Sequence, residues 1–278
     1  MGRQYRVMLG GIIGPPFTKT LAVEKWNADS SDEHWMGLFI SDELFHFVGR
    51  RHPLDHESNY SILKLVLSKR CVSHRPHSSD WGTVRTTTNW EESLITGELI
   101  VPTVTCFCDI PFEHLPVHLL KYGSFGLAFR KDFLIRYGAR PVTYVPLRND
   151  DHLSVHGRTL LRDIEQIYRG FRAQLIEPAT LQANRGRALG AQPTSPEDTL
   201  SALDSLLTRD FLAFIKPYNS QLPENDPSYY YSEREWRKFG NLMFPPSEVA
   251  RVIVVEGYVA RVETEFPEYQ GKVDVAST

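Results

Sequence analysis

Residues 229–240 read YYYSEREWRKFG, and how this stretch is folded decides the architecture. Read as extended, it sends Glu233 and Glu235 to one face and Arg234 and Trp236 to the other, because strand side chains alternate. Two carboxylates on one face repel unless partners or a ligand offset the charge, and such pairs often carry shifted pKa values. The same pattern also serves a structural salt bridge through Glu235 or Arg237, so the stretch alone leaves both uses open.

The flanking sequence decides between a helical and a strand-rich chain. Downstream, EVARVIVVEGYV is a buried-looking strand centred on Val252 to Val255. Upstream, DELFHFVGRR predicts a strand at Leu44 to Val48, with His46 between two phenylalanines, and LIVPTVTCFCDI predicts another that ends at Pro111. NYSILKLVLSKR spaces Ile62, Leu63, Leu65 and Val66 as a helix with basic residues at its C-terminus. FEHLPVHLLKYG reads as a short helical segment ending at Gly123, and the stretch to Leu147 as strand, helical turn and strand.

The middle of the chain is different. Two amphipathic helical stretches, GRTLLRDIEQIYRGFRAQLIEPATLQ and DTLSALDSLLTRDFLAFIKPY, are joined by ANRGRALGAQPTSPED, a loop whose Ser195 and Pro196 make a good helix start. Strand-rich ends around a helical middle predict an α+β fold: two small packed sheets with flanking helices, and a helical insertion over about 150–215. The expected organisation is an N-terminal arm over 1–40 and a single domain over 41–278. In the arm, Gly10 and Gly11 break the apolar run Val7 to Ile13 and Pro15 and Pro16 end it, so it reads as strand or loop rather than as a signal peptide. Residues 71–98, with His74, His77, Trp81 and Trp90, read as a polar loop.

Composition narrows the function classes. With 41% apolar and 23% charged residues in 278, the chain is globular rather than disordered. A formal net charge of -3 gives no global basic field for nucleic acid or an anionic membrane. Three cysteines make a disulfide scaffold a poor fit and suit a reducing compartment, with the cytoplasm as the expected location and no membrane partner. Walker, Gly-x-Gly-x-x-Gly, Gly-x-Ser-x-Gly and His-Glu-x-x-His motifs are absent, which weighs against the chemistries they carry.

Two further constellations stand out. Cys106, Cys108, His114 and His118 have thiolate and imidazole ligands at a spacing that suits zinc, but Cys-x-Cys is an uncommon structural pair and Pro116 distorts any helix that would align the histidines, so zinc is not expected. Arg50, Arg51, His52, Lys69, Arg70, His74, Arg75 and His77 form the most basic part of the first half. That segment is either a solvated face or a track for a phosphate backbone or the pyrophosphate of NAD, and Arg50 and Arg51 are the pair to test.

VTCFCDIPFEHLPVHLLKYGSFGLAFRKDFLIRYGARPVTYV followed by the Glu-Arg-Glu-Trp-Arg stretch resembles the AbiGi family of abortive-infection proteins, used by bacteria against phage and labelled antitoxins. The matching positions are Cys106, Phe107, Asp109, Ile110, Pro111, His118, Tyr122, Gly123, Phe125, Gly126, Gly138, Pro141 and Val142. The resemblance implies a role in phage defence and a cognate toxin or antitoxin as partner.

The order of His46, middle aromatic strands and a late Glu-x-Glu also resembles ADP-ribosyltransferases, which cleave NAD and hand ADP-ribose to an acceptor. That resemblance implies NAD as co-substrate and a nucleic acid or protein as acceptor. Glu235 would stabilise the sugar cation left when nicotinamide departs, and Glu233 would orient or activate the acceptor. His46 would hold ribose or adenylate, Arg50 and Arg51 the pyrophosphate, and Phe107 or Tyr230 would stack on nicotinamide. The chain departs from that pattern in lacking a Ser-Thr-Ser, and HFVGR stands where some members have His-x-Thr, so the nicotinamide-contacting residue stays open. The rival reading is a non-catalytic antitoxin or phage-sensing binding protein that docks through its helices.

Overall fold

The computed structural model describes residues 41–73, 86–148, 155–176, 195–223, 226 and 228–276. All of these belong to one compact unit, Gly37–Thr278. The expected arm over 1–40, the candidates His74, Arg75, His77 and Trp81, and most of the loop joining the helical stretches lie outside the described residues.

The fold is α+β, with helices and several small sheets. In place of two small packed sheets, the described residues form one seven-stranded sheet and three two-stranded ladders, one of them β2 (Cys71–Val72) with β11 (Leu242–Met243). Along the large sheet the order is β13 (Val273–Val275), β12 (Val249–Val254), β6 (Gly126–Arg130), β1 (Glu43–Phe47), β5 (Val104–Cys108), β10 (Glu235–Phe239) and β7 (Arg140–Pro141). The expected strand through Ile100 and Cys108 divides in two, because β4 (Ile100–Pro102) turns away to pair with β3 (Thr86–Thr88).

Alternation along the strands gives the large sheet two apolar faces. Leu44, Phe107, Leu127, Phe129, Val252 and Val254 enter one core, where helix α1 (His56–Lys69) packs. Asp55 caps that helix by accepting from the Ser58 amide at 3.0 Å. Its buried face runs through Asn59, Tyr60, Leu63, Val66 and Leu67; of the positions expected from spacing, Leu63 and Val66 are buried and Ile62 and Leu65 half-buried. Phe45, Phe47, Cys108, Ala128 and Ile253 form the opposite core with α2 (Pro116–Tyr122).

A third core surrounds a parallel ladder, β8 (Thr143–Leu147) with β9 (Ile215–Asn219). Parallel neighbours need a long crossover, and the expected helical insertion is that crossover. It contains the helix Val155–Phe171, a π turn over Arg172–Ile176, and the helix Pro196–Ser205. Ser195 starts the last of these, accepting from the Asp198 amide at 3.1 Å. The second amphipathic stretch does not stay helical to its end: a 3-10 turn over Leu212–Phe214 leads into β9, where Ile215 and Pro217 favour extension. Among the described residues no helix is long and apolar enough to cross a membrane.

Candidate active site

The neighbours β1 and β5 pair at Phe45↔Cys108, and the His46 side chain spans the space beyond, its Nδ1 2.8 Å from the Cys106 carbonyl. A carbonyl only accepts, so Nδ1 carries the proton and Nε2 is left as an acceptor. The strands open onto a cleft of about 1070 Å³. Its lining includes His46, Glu233, Glu235 and Tyr230, together with the exposed Arg50 and Arg51.

Glu233 and Glu235 meet there by a different route from the expected alternation. Glu233 ends a 3-10 turn over Tyr230–Glu233, Arg234 adopts a left-handed conformation (φ 46°, ψ 53°), and only then does β10 begin at Glu235. The kink brings both carboxylates to one place, each less than a tenth exposed. Trp236 faces the other core, beside Phe107, as alternation within β10 requires.

Each glutamate divides its oxygens in the same way. Glu233 Oε1 accepts from Lys121 Nζ at 2.5 Å and Tyr122 Oη at 2.8 Å, and its Oε2 accepts from Lys216 Nζ at 2.9 Å. Glu235 Oε1 accepts from Arg237 Nε at 2.7 Å, and its Oε2 from the same Lys216 Nζ at 2.5 Å. Arg237 is fixed in turn by donating to the Ala213 carbonyl, and the Glu235 amide donates to Tyr144 Oη at 2.7 Å. Burial acts to raise Glu235, but Arg237 and Lys216 outweigh it and hold it down at about 2. Burial likewise opposes the charge on Glu233, and Lys216 and Lys121 overcome it. Both carboxylates are therefore ionised at neutral pH.

The rings of the cleft follow the same logic. Tyr230 receives Lys121 Nζ at 4.0 Å and Lys216 Nζ at 4.7 Å from its ring centroid. Phe107 is buried beneath His46, their rings 5.7 Å apart, so Tyr230 is the more accessible of the two expected stacking rings. Arg50 lies 5.8 Å from the Tyr122 ring, and both Arg50 and Arg51 are exposed. Burial lowers the His46 pKa, an effect its bond to the Cys106 carbonyl offsets in part.

The cysteines and histidines of the possible zinc set do not assemble. Pro116 occupies the first turn of α2, leaving His114 in a separate 3-10 turn, so the two histidines do not share a helix face. His118 packs its ring against Tyr122 at 4.4 Å and Phe47 at 5.4 Å, and burial lowers its pKa to about 4. Burial pushes the Cys108 thiol up, and desolvation in the cleft together with the nearby Glu235 charge does the same for the exposed Cys106, keeping both protonated and poor ligands. Among the described residues no group of three His, Cys, Asp or Glu side chains is placed to hold a metal ion.

The fold gathers Glu233, Glu235, His46, Arg50, Arg51, Phe107 and Tyr230, all expected from the sequence, around one cleft. Lys216 and Lys121 were not among the expected residues. Lys216 was concealed because FIKPY looked like the end of a helix; the β-branched Ile215, two residues before Pro217, was the available signal of a strand.

These features define an α+β protein with a polar cleft built around a buried, cation-bridged carboxylate pair. The model of one family matches residues 85–265, more than half of the 278-residue chain, under the description "Putative abortive phage resistance protein AbiGi, antitoxin". The chain belongs to the AbiGi family. No curated protein and no solved structure matches it.

Proposed function

We propose that this chain is an effector of abortive phage resistance that works as an ADP-ribosyltransferase, cleaving NAD in the cleft and passing ADP-ribose to a nucleic acid or protein acceptor. The observation that carries the reading is the meeting of two buried, ionised glutamates with a neutral His46 in one cleft large enough for a dinucleotide. Its family's description supplies the phage-resistance role.

Each residue then has a task. Three cations, Lys121, Lys216 and Arg237, face two carboxylates, so the cluster has one net positive charge and, with Arg50 and Arg51 in the lining, favours a diphosphate. His46 Nε2 accepts from a ribose hydroxyl. Nicotinamide leaves neutral with the electron pair of its bond to the ribose, Glu235 stabilises the positive charge that develops on the sugar, and a lone pair of the acceptor forms the new bond while the acceptor's proton passes by way of Glu233 to solvent. The test is nicotinamide release by the purified protein. Wild type is expected to release it and Glu235→Gln to lose at least about a hundredfold; a mutant as fast as wild type, or no release by either, overturns the reading.

A second reading, a non-catalytic antitoxin, is favoured by the word in the family description and by exposed apolar side chains on the insertion, Leu160, Ile167, Leu206 and Phe211 among them. It expects Glu235→Gln to leave function intact and changes at Ile167 and Phe211 to abolish binding of a cognate toxin.

A further inference from the structure

Both glutamates have one oxygen held by its own donors, and both turn the second oxygen to Lys216. This ammonium lies 2.9 Å from Glu233 Oε2 and 2.5 Å from Glu235 Oε2, and the side chain is 15% exposed. It arrives from the third core: β9 pairs with β8 in the register Tyr144↔Lys216, and Tyr144 accepts from the Glu235 amide. Two neighbouring residues of one ladder thus reach the same glutamate, one at its backbone and the other at its carboxylate.

We infer that Lys216 is a positioning residue whose ammonium holds the Glu233 and Glu235 carboxylates together at the cleft wall. The inference rests on the transferase reading for its catalytic consequence, though not for its structural content. Without the ammonium, two desolvated anions would face one another through their Oε2 atoms, and one of them would turn away or take up a proton.

The other groups around the pair cannot substitute. Lys121 and Tyr122 from α2 are committed to Glu233 Oε1, and Arg237 from β10 is committed to Glu235 Oε1. Burial keeps His118 of α2 and the β5 thiol Cys108 uncharged, and desolvation in the cleft together with the Glu235 charge does the same for Cys106. Burial likewise keeps the phenols of Tyr122 and Tyr144 protonated. Arg50 lies against the Tyr122 ring, 5.8 Å from its centroid, rather than on either carboxylate. Burial opposes the charge of Lys216, but Glu235 and Glu233 hold it on.

Two measurements on the full chain test this: the titration of the Glu233 and Glu235 carboxyl carbons by NMR, and nicotinamide release against pH. In Lys216→Met one carboxyl is expected to titrate at least about one unit higher, and the acid limb of release to move up with it, with a fall of about tenfold or more at neutral pH. Lys216→Arg should restore most of both. Lys216→Gln, which keeps a donor without the charge, should resemble Lys216→Met and serves if that variant does not fold. Unchanged carboxyl titration overturns the inference. So does release faster than wild type, which would make the ammonium an occupant that substrate must displace. If wild type releases no nicotinamide the transferase reading falls, and the carboxyl titration still decides the role of Lys216.

Discussion

Arg237 lies two residues along β10 from Glu235 and turns its Nε back to Glu235 Oε1 at 2.7 Å, while its other end donates to the Ala213 carbonyl. Residues two apart on a strand share a face, so the short Glu-x-Arg repeat is enough to build the pair. The Ala213 contact ties the large sheet to the end of the crossover that leads into β9, the strand of Lys216. Arg237→Met therefore leaves a buried carboxylate with one partner fewer and a buried carbonyl without its donor. The expected loss is about 3–5 kcal/mol, read from urea unfolding, with Arg237→Lys losing less. A loss below about 1 kcal/mol would place the pair among inconsequential surface contacts.

Arg234 supplies the second prediction. Its φ of 46° is a conformation that costs an ordinary L residue about 1–2 kcal/mol and a glycine almost nothing. Arg234→Gly should relieve that strain. Arg234→Val, with a branched Cβ in the same conformation, should lose about 2 kcal/mol and move Glu233 away from Lys216. Thermal unfolding of the two variants checks the order, and Arg234→Val as stable as Arg234→Gly would show that the kink is dispensable.

Gly126 fixes the strand that carries His46. A Cβ there would stand 2.5 Å from the His46 carbonyl and 2.7 Å from the Phe47 ring. Overpacking of this kind costs about 1–3 kcal/mol, and here the backbone oxygen cannot step aside without shifting β1. Gly126→Ala should unfold at lower temperature and perturb the His46 ring signals in the NMR spectrum. Gly138, where an added Cβ meets nothing within 4 Å but φ is +84°, is the comparison that separates crowding from backbone strain.

The strand-rich ends, the early His46 strand and the late carboxylates were legible because each is a local pattern. Apolar alternation around His46 and the run before Pro111 need no partner to be read. The convergence of Glu233 and Glu235 was anticipated for the wrong local reason, since alternation assumed an extended Arg234 and the chain kinks there instead. Lys216 and Lys121 were illegible as site residues because lysines are common and their meaning lies in contacts 17 and 112 residues away in sequence from Glu233. The single large sheet was missed for a similar reason: pairing of β1 with both β5 and β6 is a long-range choice that strand propensity does not encode.

The pH dependence of stability follows from these surroundings and has a definite sign. His46 and His118 have pKa values below their ordinary 6.5 in the folded chain, so below pH 6.5 the unfolded chain binds protons that the folded one refuses. Stability must then fall as pH drops through this range. Glu235 continues the trend: its pKa is about 2 when folded against an ordinary 4.5, so its contribution is complete above 4.5 and lost as pH falls towards 2. Lys216 acts at the other end, because its raised pKa gives stability that is present below 10.5 and is lost as pH rises through the folded value. Urea midpoints measured across pH should therefore form a plateau around neutrality with an acid side in two stages. Glu235→Gln should shrink the lower stage, leaving the share of Glu233, whose pKa is also lowered, and the histidine stage in place. An acid side that is unchanged by Glu235→Gln would mean that this carboxylate is not held ionised by Arg237 and Lys216.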